Sequence, residues 1–330
     1  MKHAMKRAGE TGTALISALF LVAVMAAVAI TLLDDMRFAI RRAANMQERD
    51  QAYWYAAGAR DFAEAQLARA LSQPRLALRP DAAWLNGRQR FPIDQGELVG
   101  EIRDGNNCFN LNSLVEADAR GRLTVAADQL DRFEALMLAV GLPVSEALAL
   151  AAQTADWIDS DDRPVAGGAE DSSYALSDPA YRAPNGLIVE REELLALQAM
   201  TPELFTLLEP HVCVRPLAEP VPLNLNTLRL DQAVQLVALF EGRMGLSQAE
   251  TILLSRPTSG FGSAQEFWAL ETVRAFEPDP ALTEHVGVET GYFEIEIDVL
   301  YAGARFELQE TVAARPGAVP QRLSQRYGSF

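Results

Sequence analysis

The stretch 14-ALISALFLVAVMAAVAITLL-33 decides how this chain is read: twenty residues from Ala14 to Leu33 without a single charge. At about 1.5 Å of rise per residue the run reaches roughly 30 Å as a helix, the thickness of a bilayer's hydrocarbon core. A short basic leader, Met1 to Gly12, precedes it with Lys2, Lys6 and Arg7. Behind it nothing stops a helix. Asp34 to Leu71 holds no proline and only one glycine, Gly58, and is rich in Ala, Arg, Gln and Glu. One helix is expected from about Thr13 to Leu71, about 90 Å long at that rise. It is stopped by Gln73-Pro74 and Arg79-Pro80, with a short Trp84-Leu85 segment following.

Two plain readings compete for the apolar run. A secretory signal has an apolar core of only about 7 to 15 residues and a small-residue cleavage site, which Ala27-Val28-Ala29 offers. Here the apolar run continues past that site without a turn. An ordinary membrane anchor is the other reading. Orientation stays open on charge, because Arg37, Arg41 and Arg42 answer the three basic residues of the leader.

The remaining chain is a soluble one. Its 330 residues, 49% hydrophobic and 22% charged, suit one large or two medium domains with real cores. A net charge of −16 repels nucleic-acid phosphates and anionic membrane surfaces. Enzyme chemistry lacks an inventory: beyond the leader only His211 and His285 remain, with no GxSxG, HExxH or phosphate loop. Two Cys and three His are too few and scattered for a zinc or iron site.

From Phe91 to Asn112 the period becomes that of strands, with Glu97 to Asp104 alternating, a turn at Asp104-Gly105-Asn106-Asn107, and then Cys108 to Asn112. Matching strands recur at Gly291 to Leu300 and Ala304 to Ala313. There Glu294, Glu296 and Asp298 alternate with Ile295, Ile297 and Val299, which predicts one acidic, wet face and one apolar face in a shared antiparallel sheet. Between the strand groups the spacing is helical, over Leu123 to Val140, Val144 to Ile158, Glu190 to Ala199, Pro202 to Glu209, Arg229 to Phe240, Ser247 to Ser255 and Ala264 to Glu271. A weak repeat runs through this region. Asn110-Leu111-Asn112-Ser113-Leu114 and Asn224-Leu225-Asn226-Thr227-Leu228 share NLN[ST]L, a pattern that suits capping of a following helix.

The most charged stretch is Asp156 to Tyr174, DWIDSDDRPVAGGAEDSSY, with six carboxylates between Asp156 and Asp171 and neither helical nor strand period. Carboxylates this dense repel, so an ordered loop needs arginine partners or a cation. Calcium, which takes six to eight oxygens in flexible geometry, is the natural candidate; a solvated acidic loop is the alternative. The spacing is not that of an EF-hand, since Arg163 breaks the series begun by Asp159 and Asp161.

A basic leader ending in glycine, followed by an apolar run that continues as a long helix, resembles the type IV pilins and the type II secretion pseudopilins. Their fifth mature residue is usually Glu; counted from Thr13 it is Ser17 here. That departure, both NLN[ST]L segments, and DWIDxDxxP with Gly167-Gly168-Ala169-Glu170-Asp171 and Tyr174, followed by Pro179, Tyr181 and Asn185, are similar to the K-type minor pseudopilins, general secretion pathway protein K.

The resemblance implies an α+β, pilin-like fold. It comprises a leader (1–12), the membrane part of a long helix (13–33), a first pilin-like part (34–114), an inserted all-helical domain (115–286) and returning strands with a tail (287–330). It implies cleavage by a prepilin peptidase between Gly12 and Thr13, methylation of the new terminus, an inner-membrane position with a periplasmic domain, and the I- and J-type minor pseudopilins as partners. It also implies calcium in the acidic loop, with Asp159, Asp161, Glu170 and Asp171 as ligands and Asp156 and Asp178 behind them. A subunit without the usual Glu suits the tip of a filament, where no subunit stands ahead. In an extracytoplasmic chain Cys108 and Cys213 most simply form one disulfide tying the two halves; two buried free thiols are the alternative.

Leu225-Asn226-Thr227 and Phe261 to Phe267, each leading into a helix, resemble helix-hairpin-helix modules of membrane-anchored DNA-uptake proteins. Arg243, Arg256 and Arg274 stand isolated among acids, so a protein-contact scaffold without nucleic acid is expected. A minor pilin of a type IV pilus remains a further alternative.

Overall fold

The computed structural model describes residues 7–72, 85, 87–315 and 317–328, with side chains from Thr13 onward. The first residues of the leader, and Pro74, Pro80 and Trp84, lie outside the described residues.

The long helix α1 (Arg7–Leu71) is unbroken over 65 residues, about 97 Å at the helical rise. Gly12 and Thr13 lie within its first turns. Its lower half meets nothing: Leu15, Phe20, Ile30 and Phe38 are each at least 60% exposed. Its upper half turns apolar on one side, and there Ala52, Ala56, Leu67 and Leu71 are buried against a sheet. Small residues at 52 and 56 let the helix approach the strands closely.

The sheet has five antiparallel strands in chain order, β1 (Gln89–Ile93), β2 (Gly96–Asp104), β3 (Tyr292–Tyr301), β4 (Ala304–Ala313) and β5 (Gln321–Tyr327). Alternation delivers Phe293, Ile295, Ile297 and Val299 from β3, with Leu98, Ile102, Leu308 and Val312 from its neighbours, to the core beneath α1. The opposite face differs from the wet face expected. Glu294, Glu296 and Asp298 are half-buried and ion-paired: Arg215 of the inserted region reaches Glu294, while Arg103 of β2 and Arg305 of β4 pair with Glu296 and Asp298 from the neighbouring strands. The edge strand β5 escaped the sequence reading, since its alternation of Arg322, Ser324 and Arg326 with Leu323 and Gln325 is polar on both sides. Its arginines pair outward, Arg322 with Glu64 of α1 at 3.2 Å and Arg326 with Glu192 at 2.7 Å.

Strands β2 and β3 are direct neighbours, with Asp104 opposite Phe293 and Gly105 N donating to Tyr292 O at 2.8 Å. Everything between is therefore a single excursion from one sheet position, leaving after Asp104 and returning at Tyr292. Residues 105–114, placed with the first pilin-like part (34–114), belong to this excursion: of the strand expected over Cys108 to Asn112 only Phe109–Asn110 forms, and Leu111–Leu114 is a 3-10 turn. The expected helix from Leu123 starts at Ala127, because Leu123–Val125 pairs instead with Val115–Ala117. Residues 191–196 of the expected helix Glu190 to Ala199 form a 3-10 turn.

The excursion holds two similar units with separate cores, one built around Phe133, Leu136, Leu150 and Ile158, the other around Leu236, Phe240, Ile252 and Phe267. Unit one is closed by Phe109–Asn110 running parallel to Val212–Cys213; unit two by Leu223–Asn224 running parallel to Val286–Gly287. Each NLN[ST]L segment does the same two jobs. Its first Asn accepts from the backbone N of its second, Asn112 at 3.3 Å and Asn226 at 3.0 Å. Its second Asn clamps a distant residue reciprocally: Asn112 with the N–H and C=O of Ile188, at 2.8 and 2.9 Å, and Asn226 with those of Phe261, at 2.7 and 3.0 Å. The clamp goes beyond capping. At Gly260, φ +78°, an added Cβ would stand 2.7 Å from Asn226 Oδ1, so glycine is what lets that clamp close.

The neck is tied by buried Asp104, whose carboxylate accepts from Asn106 N at 2.7 Å, Thr227 Oγ1 at 2.5 Å, Asn224 Nδ2 at 2.8 Å and Thr290 Oγ1. Burial pushes this carboxyl up, and the four donors pull against it. Four residues further on, Cys108 forms a disulfide with Cys213, with Cα atoms 5.7 Å apart.

Candidate metal centre

The acidic loop is placed by the helix before it. In unit one the helix Val144–Ile158 buries Asp156 and Trp157 in its last turn, and Asp159 follows at its C-cap. An Asp at that end faces the unsatisfied carbonyls of the helix, an unfavourable place for an anion. The chain then turns back through Val165 and Gly168, and Glu170 returns to the same spot.

Asp159, Asp161 and Glu170 each bring a carboxylate oxygen within 4.8 Å of the other two. Among the described residues this is the one group of three such side chains. Asp159 and Glu170 are 4% and 3% exposed, while Asp161 is open to solvent. Asp159 Oδ1, both Glu170 carboxylate oxygens and Asp156 Oδ2 are buried without a hydrogen-bond partner. Unpartnered anionic oxygens in the interior cost far more than a neutral gap, so their convergence makes a pocket whose chemistry suits a cation.

The cradle is shaped for them. An added Cβ on Gly168 would fall 1.8 Å from Asp156 Oδ2, so only glycine lets the loop close over that oxygen. Asp156 Oδ1 accepts from Val165 N at 3.0 Å, which aims Oδ2 inward. Asp161 Oδ1 accepts from Arg163 N at 2.8 Å, and Asn185 Nδ2 donates to Asp161 O at 3.1 Å.

Asp171 goes elsewhere: its Oδ1 accepts from Ala183 N at 3.0 Å and its Oδ2 lies 3.6 Å from Arg182. Asp178 is exposed on the outer loop. The structure thus brings Asp156, ranked behind by sequence, to the buried cluster and takes Asp171 from it. Its one available signal was position, in the last turn of an apolar helix.

Electrostatics agree with geometry. Burial, reinforced by Asp156 and Asp159, pushes Glu170 up to about 7. Burial, then Asp161 and Asp156, pushes Asp159 up to about 6, and burial raises Asp156. These shifts record how badly the site holds three negative charges by itself. A hard dication among four carboxylates reverses that balance, and an all-oxygen, partly exposed set fits calcium. Behind the loop a rigid aromatic wall backs the site: Trp157 meets buried Tyr174 edge-on at 5.3 Å, and Tyr174 meets Tyr181 at 5.1 Å. Trp157 Nε1 donates to Glu193 at 3.2 Å.

An exposed apolar helix on a five-stranded antiparallel sheet, with a helical excursion carrying an acidic centre, defines a pilin-like subunit whose helix is long and apolar enough to serve as a single-pass membrane anchor. Models of the family "Type II secretion system (T2SS), protein K" match residues 107–217 and 223–289, which are the two helical units. Type II secretion system protein K of Klebsiella pneumoniae is 30% identical over 97% of both chains, and that of Pseudomonas aeruginosa 36% identical over 79% of this chain and 77% of its own. The crystal structure of the GspK-GspI-GspJ complex from enterotoxigenic Escherichia coli contains a chain that superposes with TM-score 0.75 at 26% identity, covering 88% of this chain and all of that one. The chain belongs to the type II secretion system protein K family, the K-type minor pseudopilins.

Proposed function

We propose that this chain is a non-enzymatic subunit at the tip of the type II secretion pseudopilus, supporting protein export across the outer membrane. The observation that carries the reading is the single-point excursion: about half of the chain projects from one strand junction, between Asp104 and Tyr292. Stacking another subunit over that bulk is hindered, whereas α1 remains free along its lower half to pack among other helices. Ser17, in place of the usual Glu, fits a subunit that pairs with none ahead.

Ala14 to Leu33 holds the precursor in the inner membrane, with the sheet and both helical units in the periplasm. A prepilin peptidase cuts between Gly12 and Thr13. A relative was crystallised with GspI and GspJ, which supports the I- and J-type minor pseudopilins as partners here. Calcium, held by Asp156, Asp159, Asp161 and Glu170, fixes the acidic loop of unit one. The protein residues do the work around it: Gly168 admits Asp156, Asn185 holds the loop backbone, and Trp157 and Tyr174 keep water from the inner side. Labelling of the subunit on assembled pseudopili tests the tip position; label at one end is expected, and label distributed along the shaft contradicts it.

A further inference from the structure

We propose that Cys108 is the entry thiol for making and exchanging the Cys108–Cys213 disulfide, taking a disulfide oxidant as a mixed disulfide before Cys213 displaces it. The two sulfurs sit in different surroundings. Cys213 is 3% exposed in the strand pair that closes unit one, whereas Cys108 is partly exposed at the neck. An incoming disulfide reaches Cys108 first.

Arg215 adds a chemical difference. Its guanidinium, 3% exposed, places one terminal nitrogen 3.7 Å from Cys108 Sγ, while the same nitrogen donates to Gly105 O at 2.5 Å and pairs with Glu294 at 3.2 Å. The Nε of Arg215 has no partner, and the group lies over the Tyr292 ring at 5.2 Å. Glu294 does not neutralise it alone, because Arg103 and Arg191 act on that carboxylate as well. A buried cation beside a thiol favours the thiolate, the form that attacks disulfides.

The steps balance. In the reduced protein the Cys108 thiolate attacks one sulfur of the oxidant R–S–S–R, forming Cys108–S–S–R and releasing R–S⁻. Cys213 gives its proton to water and attacks the Cys108 sulfur, forming the native disulfide and releasing the second R–S⁻. Two protein thiols are oxidised and one oxidant disulfide is reduced.

The test uses full-length protein in detergent micelles, as Cys213→Ala, which keeps Cys108, and Cys108→Ala, which keeps Cys213. Each is mixed with oxidised glutathione under native conditions and in denaturant, and the mixed disulfide is followed by mass. The expected result is that Cys108 reacts at least about tenfold faster than Cys213 when folded, with equal rates when unfolded, and that its half-maximal rate falls below the ordinary thiol value of about pH 8.5. Equal native rates, or a faster Cys213, would overturn the entry order. A Cys108 midpoint at or above that ordinary value would overturn the part assigned to Arg215.

Discussion

The two helical units share a plan and differ in what closes them. Both begin with NLN[ST]L, both clamp a distant backbone with the second Asn, and both end on a parallel strand pair. In unit two the loop after the second helix is held by the chain itself: Arg256 donates to Leu225 O at 2.6 Å and Leu228 O at 2.9 Å. In unit one the corresponding loop carries Asp159, Asp161 and Glu170 around buried oxygens that no side chain answers. A loop that owns its cation needs none from outside; one built from carboxylates offers a place for one. Unit one also carries the disulfide, and unit two has no cysteine.

The largest difference between the units is expected from the disulfide. Closing a loop of about a hundred residues is worth about 4.7 kcal/mol in the chain-entropy account. Replacing both cysteines by alanine should therefore make unit one melt before unit two in calorimetry; a single unchanged transition would break the comparison.

Calcium comes next. Chelation should cost unit one about 2 to 3 kcal/mol when the ion had been present at a hundred times its dissociation constant. The double variant Asp159→Asn/Glu170→Gln should lose all calcium dependence in a thermal scan. Without calcium it should melt above the parent, because the mutual repulsion is relieved. Arg256→Met should leave the calcium response untouched while costing about 1 to 3 kcal/mol in unit two, where two carbonyls lose their donor.

That contrast shows what could be read from residues alone. The apolar run Ala14 to Leu33 was legible by its length and lack of charge, and the strands β3 and β4 and most helices because burial of one face writes a period into the sequence. The acidic density of the loop was legible too. What sequence could not convey is the path of the chain: Glu170 meets Asp159 only because Gly168 lets the loop close over Asp156, and Asp171, chemically equivalent on paper, is turned toward Ala183 and Arg182. At Glu294 the acidic face of β3 is covered for a related reason, since Arg215 arrives from 79 residues away. The NLN[ST]L copies looked like caps because their partners, Ile188 and Phe261, are remote and unremarkable.

The clamps should be matched. Asn112→Ala and Asn226→Ala each leave a buried backbone donor and acceptor unpaired, and each should cost about 2 to 3 kcal/mol by denaturant unfolding. A large cost in one and none in the other would deny that the units are equivalent. The smallest effect concerns the contact between them. Arg132 of unit one lies against the ring of His285 of unit two, at 3.2 Å, with Asp128 and Glu284 nearby. Burial first, and then Arg132, lowers the pKa of His285, so its neutral form is favoured when folded. Its contribution is present above the ordinary histidine range and is lost as pH falls through the lowered value. His285→Gln should flatten the acid side of the stability profile between about pH 7 and 5.

The most direct measurement is hydrogen exchange of the full chain with and without calcium, read loop against loop. Protection should rise across residues 156–186 when calcium is added and stay constant across residues 255–263, where Arg256 already serves. Equal response of both loops, or none in either, would contradict an external cation closing unit one alone.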